Sequence, residues 1–266
     1  MSAQGKSEPA PLDLEAAMDA AWPALERYDA GGWVLRAAGG VTQRANSIWP
    51  RAVTADLQGD SLRGLLADAR SWYRSRRLPV IFQLFDTPAT AALHDLLDAE
   101  GFTRQSGTVV MTRGPMTGGT ADAAVEVSRE PSADWLRVWW EVDGRGGEDA
   151  LAIAREILLG CPSIYALVRD GAGLPAAVGR LALPAGSAQG GLYCMATRAE
   201  ARRRGYGTAV LQSLLQAGAE QGAGKYWLLV TAANHGAQAM YANAGFTEAG
   251  RYLYRQERPR RALTGC

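Results

Sequence analysis

The chain has 266 residues, 47% of them hydrophobic and 21% charged, which excludes disorder and allows one large domain or two small ones. Its 28 basic and 27 acidic side chains leave a net charge of +1, so nothing in the overall balance drives it toward nucleic acid or an acidic surface. Three cysteines (Cys161, Cys194, Cys266) and two histidines (His94, His235) are too few for a disulfide framework, a zinc site or a histidine-rich centre, and no metal is expected.

In chain order, residues 1–12 are Ser/Pro/Ala-rich without the apolar stretch of a signal peptide, and read as a flexible start. No run approaches the ~18 apolar residues of a membrane span, so no membrane association and a cytoplasmic location are expected. The pattern then predicts a helix over 12–28 and strands over 33–37 and 42–50 around the Gly39-Gly40 turn. A helix follows over 61–76, with Leu62, Leu65, Leu66 and Ala69 on one face and Ser61 as its N-cap. The apolar run 79–85 reads as a buried parallel strand, 90–100 as a helix ended by Gly101 at positive φ, and 109–111 as a strand. Residues 114–121 have linker composition.

Beyond the linker the order recurs. A strand is predicted over 125–128, helices over 132–142 and 148–159, and strands over 164–168, 176–183 and 192–197. A helix over 207–221, a strand over 226–231, a helix over 237–243 and a strand over 251–255 follow. Gly101-Phe102-Thr103 and Gly245-Phe246-Thr247 stand 144 positions apart, each between a short helix and a strand, which points to an internal duplication. The segments are 1–12 (flexible), 13–115 (first half), 116–122 (linker), 123–257 (second half) and 258–266 (basic tail).

The most specific motif is Arg202-Arg203-Arg204-Gly205-Tyr206-Gly207-Thr208, between a strand and a helix. Gly205 and Gly207 remove Cβ atoms from the path of a phosphate, the helix start offers unpaired N–H groups, and Arg198 with the three arginines adds positive charge. An exposed basic turn is the competing reading. The segment lacks the Gly-Lys-Ser/Thr ending of a P-loop; it also fails as a dinucleotide fingerprint, with Val210 at the third small position and no acid at Val230-Thr231. Downstream come Asn234 and Tyr241, then Gly245-Phe246.

On these residues the segment from about Val125 to Gln256 resembles the GCN5-related N-acetyltransferase (GNAT) superfamily. Arg202-x-x-Gly205-x-Gly207, Asn234 and Tyr241 match its pattern in type, order and spacing. The resemblance implies an α/β fold of two tandem GNAT-like domains, each a mixed, strongly twisted sheet flanked by helices. It implies acetyl-CoA as co-substrate, its pyrophosphate held by main-chain N–H groups from Arg203 to Thr208. Met195, Ala196 and Thr197 would pair with the pantetheine arm, and a main-chain N–H of Met195 or Ala196 would polarise the thioester carbonyl. Asn234 would hydrogen-bond the pantetheine or diphosphate, and Tyr241 would protonate the leaving thiolate as general acid.

Aligned on the repeated Gly-Phe-Thr, Tyr241 corresponds to Leu97, and the stretch Thr54 to Asp60 has two acids and no arginine. The first half is therefore expected to be degenerate, leaving one active site. Gly32-Trp33-Val34-Leu35-Arg36 and Arg44-Ala45-Asn46-Ser47 are similar to bacterial tandem members of the superfamily. The strand before Asn234 carries Leu229 where many relatives have a carboxylate, so the base stays open among Glu141, Asp143, Tyr193, His235 and a water chain. Trp139, Trp140 and Glu141 are candidates for the acceptor cleft, with core packing the alternative for the two tryptophans. Cys194 could suggest an acyl-enzyme, against its reading as a small buried residue.

The expected activity is transfer of acetyl to a primary amine by direct attack in a ternary complex. A small-molecule acceptor is favoured over a folded protein, because the extra half could wall the cleft. The alternative is a non-catalytic acyl-CoA sensor, for which the missing base argues and Tyr241 argues against. Arg74, Arg76, Arg77, Arg258, Arg260 and Arg261 do not amount to a nucleic-acid footprint at this net charge. Nothing in the sequence bears on oligomeric state.

Overall fold

The computed structural model describes residues 11–51, 59–105, 107–116 and 122–258. The first half runs α1 (Pro11–Ala21), β1 (Glu26–Ala30), β2 (Trp33–Ala37), β3 (Trp49–Pro50), α2 (Asp60–Ser75), β4 (Ile81–Phe85), α3 (Ala91–Ala99), β5 (Thr103–Arg104) and β6 (Thr108–Arg113). The second runs β7 (Val125–Ser128), α4 (Ala133–Asp143), α5 (Glu148–Leu159), β8 (Ser163–Arg169), β9 (Pro175–Ala182), β10 (Gln189–Thr197), α6 (Tyr206–Glu220), β11 (Lys225–Thr231), α7 (His235–Asn243) and β12 (Thr247–Gln256).

Among the described residues, β1, β2 and β3 form a small antiparallel sheet. The other nine strands form one mixed sheet in the order β4-β12-β6-β11-β10-β9-β8-β7, with β5 on β12. The last strand of each half is thus inserted into the other. β6 pairs antiparallel with β11 and β12, and β12 lies between β4 and β6. Thr108 faces Tyr252, its equivalent 144 positions later, so the two halves meet about a pseudo-two-fold at that pair. Gln105 extends the seam, its amide donating to Gln256 Oε1 at 2.6 Å.

Alternation along the central strands sorts their side chains to two faces. Trp227 and Tyr193 join α1, α4 and α5 in one cluster with Trp22, Trp135 and Trp139. Tyr226, Leu228 and Val230 face α6 and α7, packing with Val210, Leu211, Leu214 and Tyr241. A third cluster, with Trp33, Tyr73, Phe82 and Leu97, fills the first half. Arg36 is buried in that half, held by Asp19 Oδ1 at 2.8 Å, Gln83 Oε1 at 2.8 Å and Ser47 Oγ at 2.9 Å.

The second half follows the expected order of elements, whereas the first departs from it locally. The predicted helix 12–28 stops at Ala21, because Pro23 disfavours helix at the residue before it, and Glu26–Ala30 pairs with β2 instead. The predicted strand 42–50 is reduced to Trp49–Pro50. Asn46 Oδ1 accepts the N–H groups of Ala38 (2.7 Å) and Gly40 (2.8 Å), and its amide donates to Thr42 O (2.7 Å), folding this stretch into a loop. Ser61 lies inside α2, whose N-cap is Gly59 at φ 58°. The strand predicted as parallel, β4, is antiparallel to β12, with a single parallel bridge from Ile48 to Phe82. Where each half was expected to carry its own sheet, the two sheets are joined through β6 and β12. The expectations for residues 1–10, the linker at 117–121, the stretch 54–58 and the tail from 259 onward, Cys266 included, lie outside the described residues.

A shared sheet couples the stability of the two halves. Phe82→Ala should cost about 3–5 kcal/mol and lower the midpoint of one cooperative denaturant transition that tryptophan fluorescence and circular dichroism report together. Two separate transitions, with only one displaced, would contradict that coupling.

Candidate functional site

The site begins where two parallel strands part. β10 and β11 pair only from Gln189–Leu192 to Lys225–Leu228. Past that point β11 continues along β6 through Thr231, while β10 stays on β9 through Ala196 and Thr197. A bulge between Tyr193 and Ala196 bends β10, with Cys194 at φ 54°, a left-handed value unusual for a non-glycine residue. Among the described residues the main chain of 193–197 on the β11 side therefore has no strand partner, and a ligand can supply one.

After β10 a short 3-10 turn (Ala199–Ala201) leads through Arg203 at φ 64° and Gly205 at φ 83° into α6. Gly205 occupies the N-cap position and no side chain caps the helix, so its first N–H groups and positive dipole end face outward. A Cβ on Gly205 would meet nothing within 4 Å; the glycine is there for its left-handed turn, not to clear space as its sequence context suggested. At Gly207 a Cβ would point at Thr197 Oγ1 (3.5 Å) and Met240 Sδ (3.6 Å), into the gap between β10 and α7. Arg202, Arg203 and Arg204 are exposed around this turn, with Arg202 Nε donating to Thr197 O at 3.3 Å. Tyr206 and Thr208 flank Gly207 in the first turn of α6.

Asn234 caps α7, its Oδ1 accepting the Ala237 N–H at 3.1 Å, and it is exposed. Tyr241 on the same helix is 6% exposed and meets Phe246 edge-on at 6.1 Å. Burial pushes its phenol up to about 12.

Across the sheet, α4 faces the bulge. Trp140 and Glu141 line one groove, whereas Trp139, about 100° round the helix from Trp140, turns into the core. Trp139 is buried against Trp135 and Trp22. Trp140 reaches the groove with Leu136 and Leu151 and donates to Gly146 O at 3.3 Å. Glu141 is exposed and ion-paired to Arg198 at 2.7 Å. Asp143, at the end of α4, has its carboxyl raised above the usual range by desolvation, partly offset by Arg44. Tyr193 accepts from Trp227 Nε1 at 3.3 Å and is pushed up to about 12 by burial. Burial likewise pushes the Cys194 thiol up to about 12, which suits a packed thiol and not a nucleophilic thiolate. His235 is exposed at the start of α7.

The first half contributes residues to this face that were not foreseen there, Trp22 and Arg44 among them. Trp22 lies 5.4 Å from the Tyr193 ring, and the Arg44 guanidinium stands 5.1 Å from the same ring. Separations of about 150 residues leave no local signal for such contacts. Among the described residues no three His, Cys, Asp or Glu side chains gather closely enough to hold a metal, and no helix is long and apolar enough to cross a membrane.

A family model described as "Probable histone acetyltransferase Rv0428c C-terminal" matches residues 12–255. The chain belongs to this family of GCN5-related N-acetyltransferases. It is 28% identical over 253 residues to the "Uncharacterized N-acetyltransferase YobR" of Bacillus subtilis, covering 92% of this chain and 98% of that one. It is 32% identical over 130 residues to the "Probable histone acetyltransferase Rv0428c" of Mycobacterium tuberculosis, spanning 47% of this chain and 37% of that longer protein. Among solved structures, a GCN5-related N-acetyltransferase from Kribbella flavida superposes with a TM-score of 0.67 at 16% identity, covering 95% and 97% of the two chains. A tandem GNAT protein from the clavulanic acid biosynthesis pathway superposes at 0.61 and 14% identity, covering 94% and 89%. The protein is thus a GNAT-type acetyltransferase with the tandem fold.

Gly207→Val would put two methyl groups toward Thr197 and Met240. The dissociation constant for CoA by calorimetry should rise about tenfold or more, with the far-ultraviolet spectrum intact; an unchanged constant would count against the turn as the phosphate site.

Proposed function

We propose that the protein transfers the acetyl group of acetyl-CoA to a primary amine on a small molecule, by direct attack in a ternary complex. The observation that carries this reading is the unpartnered edge of β10 beside the uncapped start of α6. The donor set suits the coenzyme: an extended backbone edge for an amide-bearing arm, then helix N–H groups and arginines for a diphosphate. In this reading residues 123–257 form the catalytic half. Residues 13–115 form a degenerate half, where fully buried Leu97 stands in the place of Tyr241.

Main-chain N–H groups from Arg203 to Thr208 hold the pyrophosphate, with Arg202 to Arg204 adding charge and Asn234 bonding the arm nearby. Met195, Ala196 and Thr197 align that arm, and the N–H of Met195 or Ala196 polarises the carbonyl. Acetyl-CoA supplies the thioester that the amine attacks. Tyr241, on the face shared with α6, gives its phenolic proton to the sulfur as the C–S bond breaks. Of the candidate bases, Asp143 has the suitable environment: a carboxylate raised toward neutral pH takes a proton from an ammonium more readily than an ordinary one. Glu141 is held by Arg198. The first half covers the acceptor side with Met18, Ala21 and Trp22, which favours a small acceptor over the protein substrate in the name of the Mycobacterium relative.

Tyr241→Phe should lower kcat about 10²-fold in a CoA-release assay while leaving the affinity for CoA within about twofold. Because burial keeps the phenol protonated up to about 12, the wild-type profile should show no alkaline decline through about pH 10; a decline with an apparent pKa near 9 that Tyr241→Phe abolishes would refute this assignment. Asp143 works as the carboxylate, so activity should rise as pH climbs through its elevated pKa and fade below it. Asp143→Asn should cut kcat by about 10² or more and erase that acidic limb, and retention of the limb would exclude Asp143 as base.

A further inference from the structure

Among the described residues, Arg36, Arg180 and Arg255 are buried near the junction of the two halves, each with oxygen partners, and Arg44 is half-buried beside them. Arg36 holds Asp19, and Arg255 holds Asp98. Arg180, fully buried, donates to Ser163 Oγ, Ala21 O and Leu158 O, each at 3.0 Å. Among the same residues Arg44 has no carboxylate or carbonyl partner; its guanidinium lies over the rings of Trp22 (5.2 Å) and Tyr193 (5.1 Å), which Arg180 also faces at 5.6 and 5.8 Å, with Tyr252 beside it, and its Nε, like that of Arg255, is buried without a hydrogen-bond partner. It enters no ion pair among the described residues, even with Asp143, whose carboxylate feels its charge.

The position is as telling as the missing partner. Tyr193 immediately precedes the bulge of β10, on the face opposite α6 and α7. A guanidinium stacked there stands on the acceptor side of the splayed strands. Its aromatic supports fix its plane, so it is preorganised to take two oxygens of one anion. Asp143 and Arg44, close but not paired, offer complementary ends to a molecule carrying both an ammonium and a carboxylate.

We propose that Arg44 binds the carboxylate of the acceptor, so that the amine acetylated belongs to an amino acid or a similar small amino-carboxylate. This rests on the acetyltransferase reading above and gives the first half a role in recognition.

The test uses the full chain and the twenty common L-amino acids, each beside its carboxamide, with CoA release from acetyl-CoA as one readout. Thermal shift in the presence of saturating CoA is the other. Wild type should acetylate at least one acid about tenfold faster than its amide. Arg44→Gln should abolish that preference mainly through KM, with CoA affinity unchanged, while Arg44→Lys should restore part of it. Amides that match their acids, an acid-to-amide ratio untouched in Arg44→Gln, or preferred turnover of a lysine-rich histone-tail peptide would each overturn the proposal. If no amine reacts although CoA binds, the transfer reading fails by itself. The thermal shift then decides on Arg44: stabilisation of wild type by acids but not amides, lost in Arg44→Gln, supports it, and no such shift overturns it. Should Arg44→Gln not fold, the acid-to-amide ratio of Arg44→Lys serves in its place.

Discussion

Everything in this molecule hangs on the pairing of β6 with β12. Each is the closing strand of its half, and each finds its neighbours in the other half. Main-chain hydrogen bonds across that seam are obligatory once the strands are buried, since an unpaired buried N–H or C=O costs as much as a lost bond. Val110, fully buried on β6, lies between Leu229 of β11 and Gly250 of β12. The two halves are accordingly one sheet. Their relative placement is set by strand register, which is stiffer than a hinge or a loose interdomain contact.

That rigidity lets the sheet open in one place without coming apart. β11 can leave β10 after Leu228 because β6 takes its other edge, and β10 can leave β11 because β9 holds it. The resulting gap presents backbone groups, a helix start and a buried phenol on one face. On the other it presents an aromatic wall with a carboxylate and a guanidinium. The bulge at Cys194, with its left-handed φ of 54°, is local strain of the sort concentrated at functional sites, and the surrounding strands support it.

The second half was legible almost residue by residue, for physical reasons. Its helices are amphipathic and its strands are apolar and bounded by turns, and the helix expected from 132 starts there, with Ser132 as its N-cap. Gly101 at φ 78° was readable because only glycine takes that conformation easily, whereas the left-handed turn at Gly205 was not read from its context. The first half hid more. Glu26–Ala30 lacks apolar alternation and is a strand by virtue of its partner β2. The stretch around Asn46 has a strand-like composition, and one side chain's hydrogen bonds override it. The exchange of β6 and β12 has no local signature at all, because a strand's own pattern fixes which face it buries and not which neighbour it joins. The motif from Arg202 to Thr208 was legible as the turn that opens α6, and the approach of Arg44 to the Tyr193 ring was unreadable at that separation.

The exchanged strands also have a temporal meaning. On the ribosome, β4 and β6 emerge well before residues 247–256 exist, and among the described residues β6 has no sheet partner within its own half. The nascent first half must therefore carry an apolar Val109-Val110-Met111 edge with nothing to pair it while more than a hundred further residues are added. Such an edge is a template for the wrong neighbour. Completion of synthesis, helped by chaperones that shield exposed strands, is the step that commits the chain to its own topology and not to a tangle with its siblings.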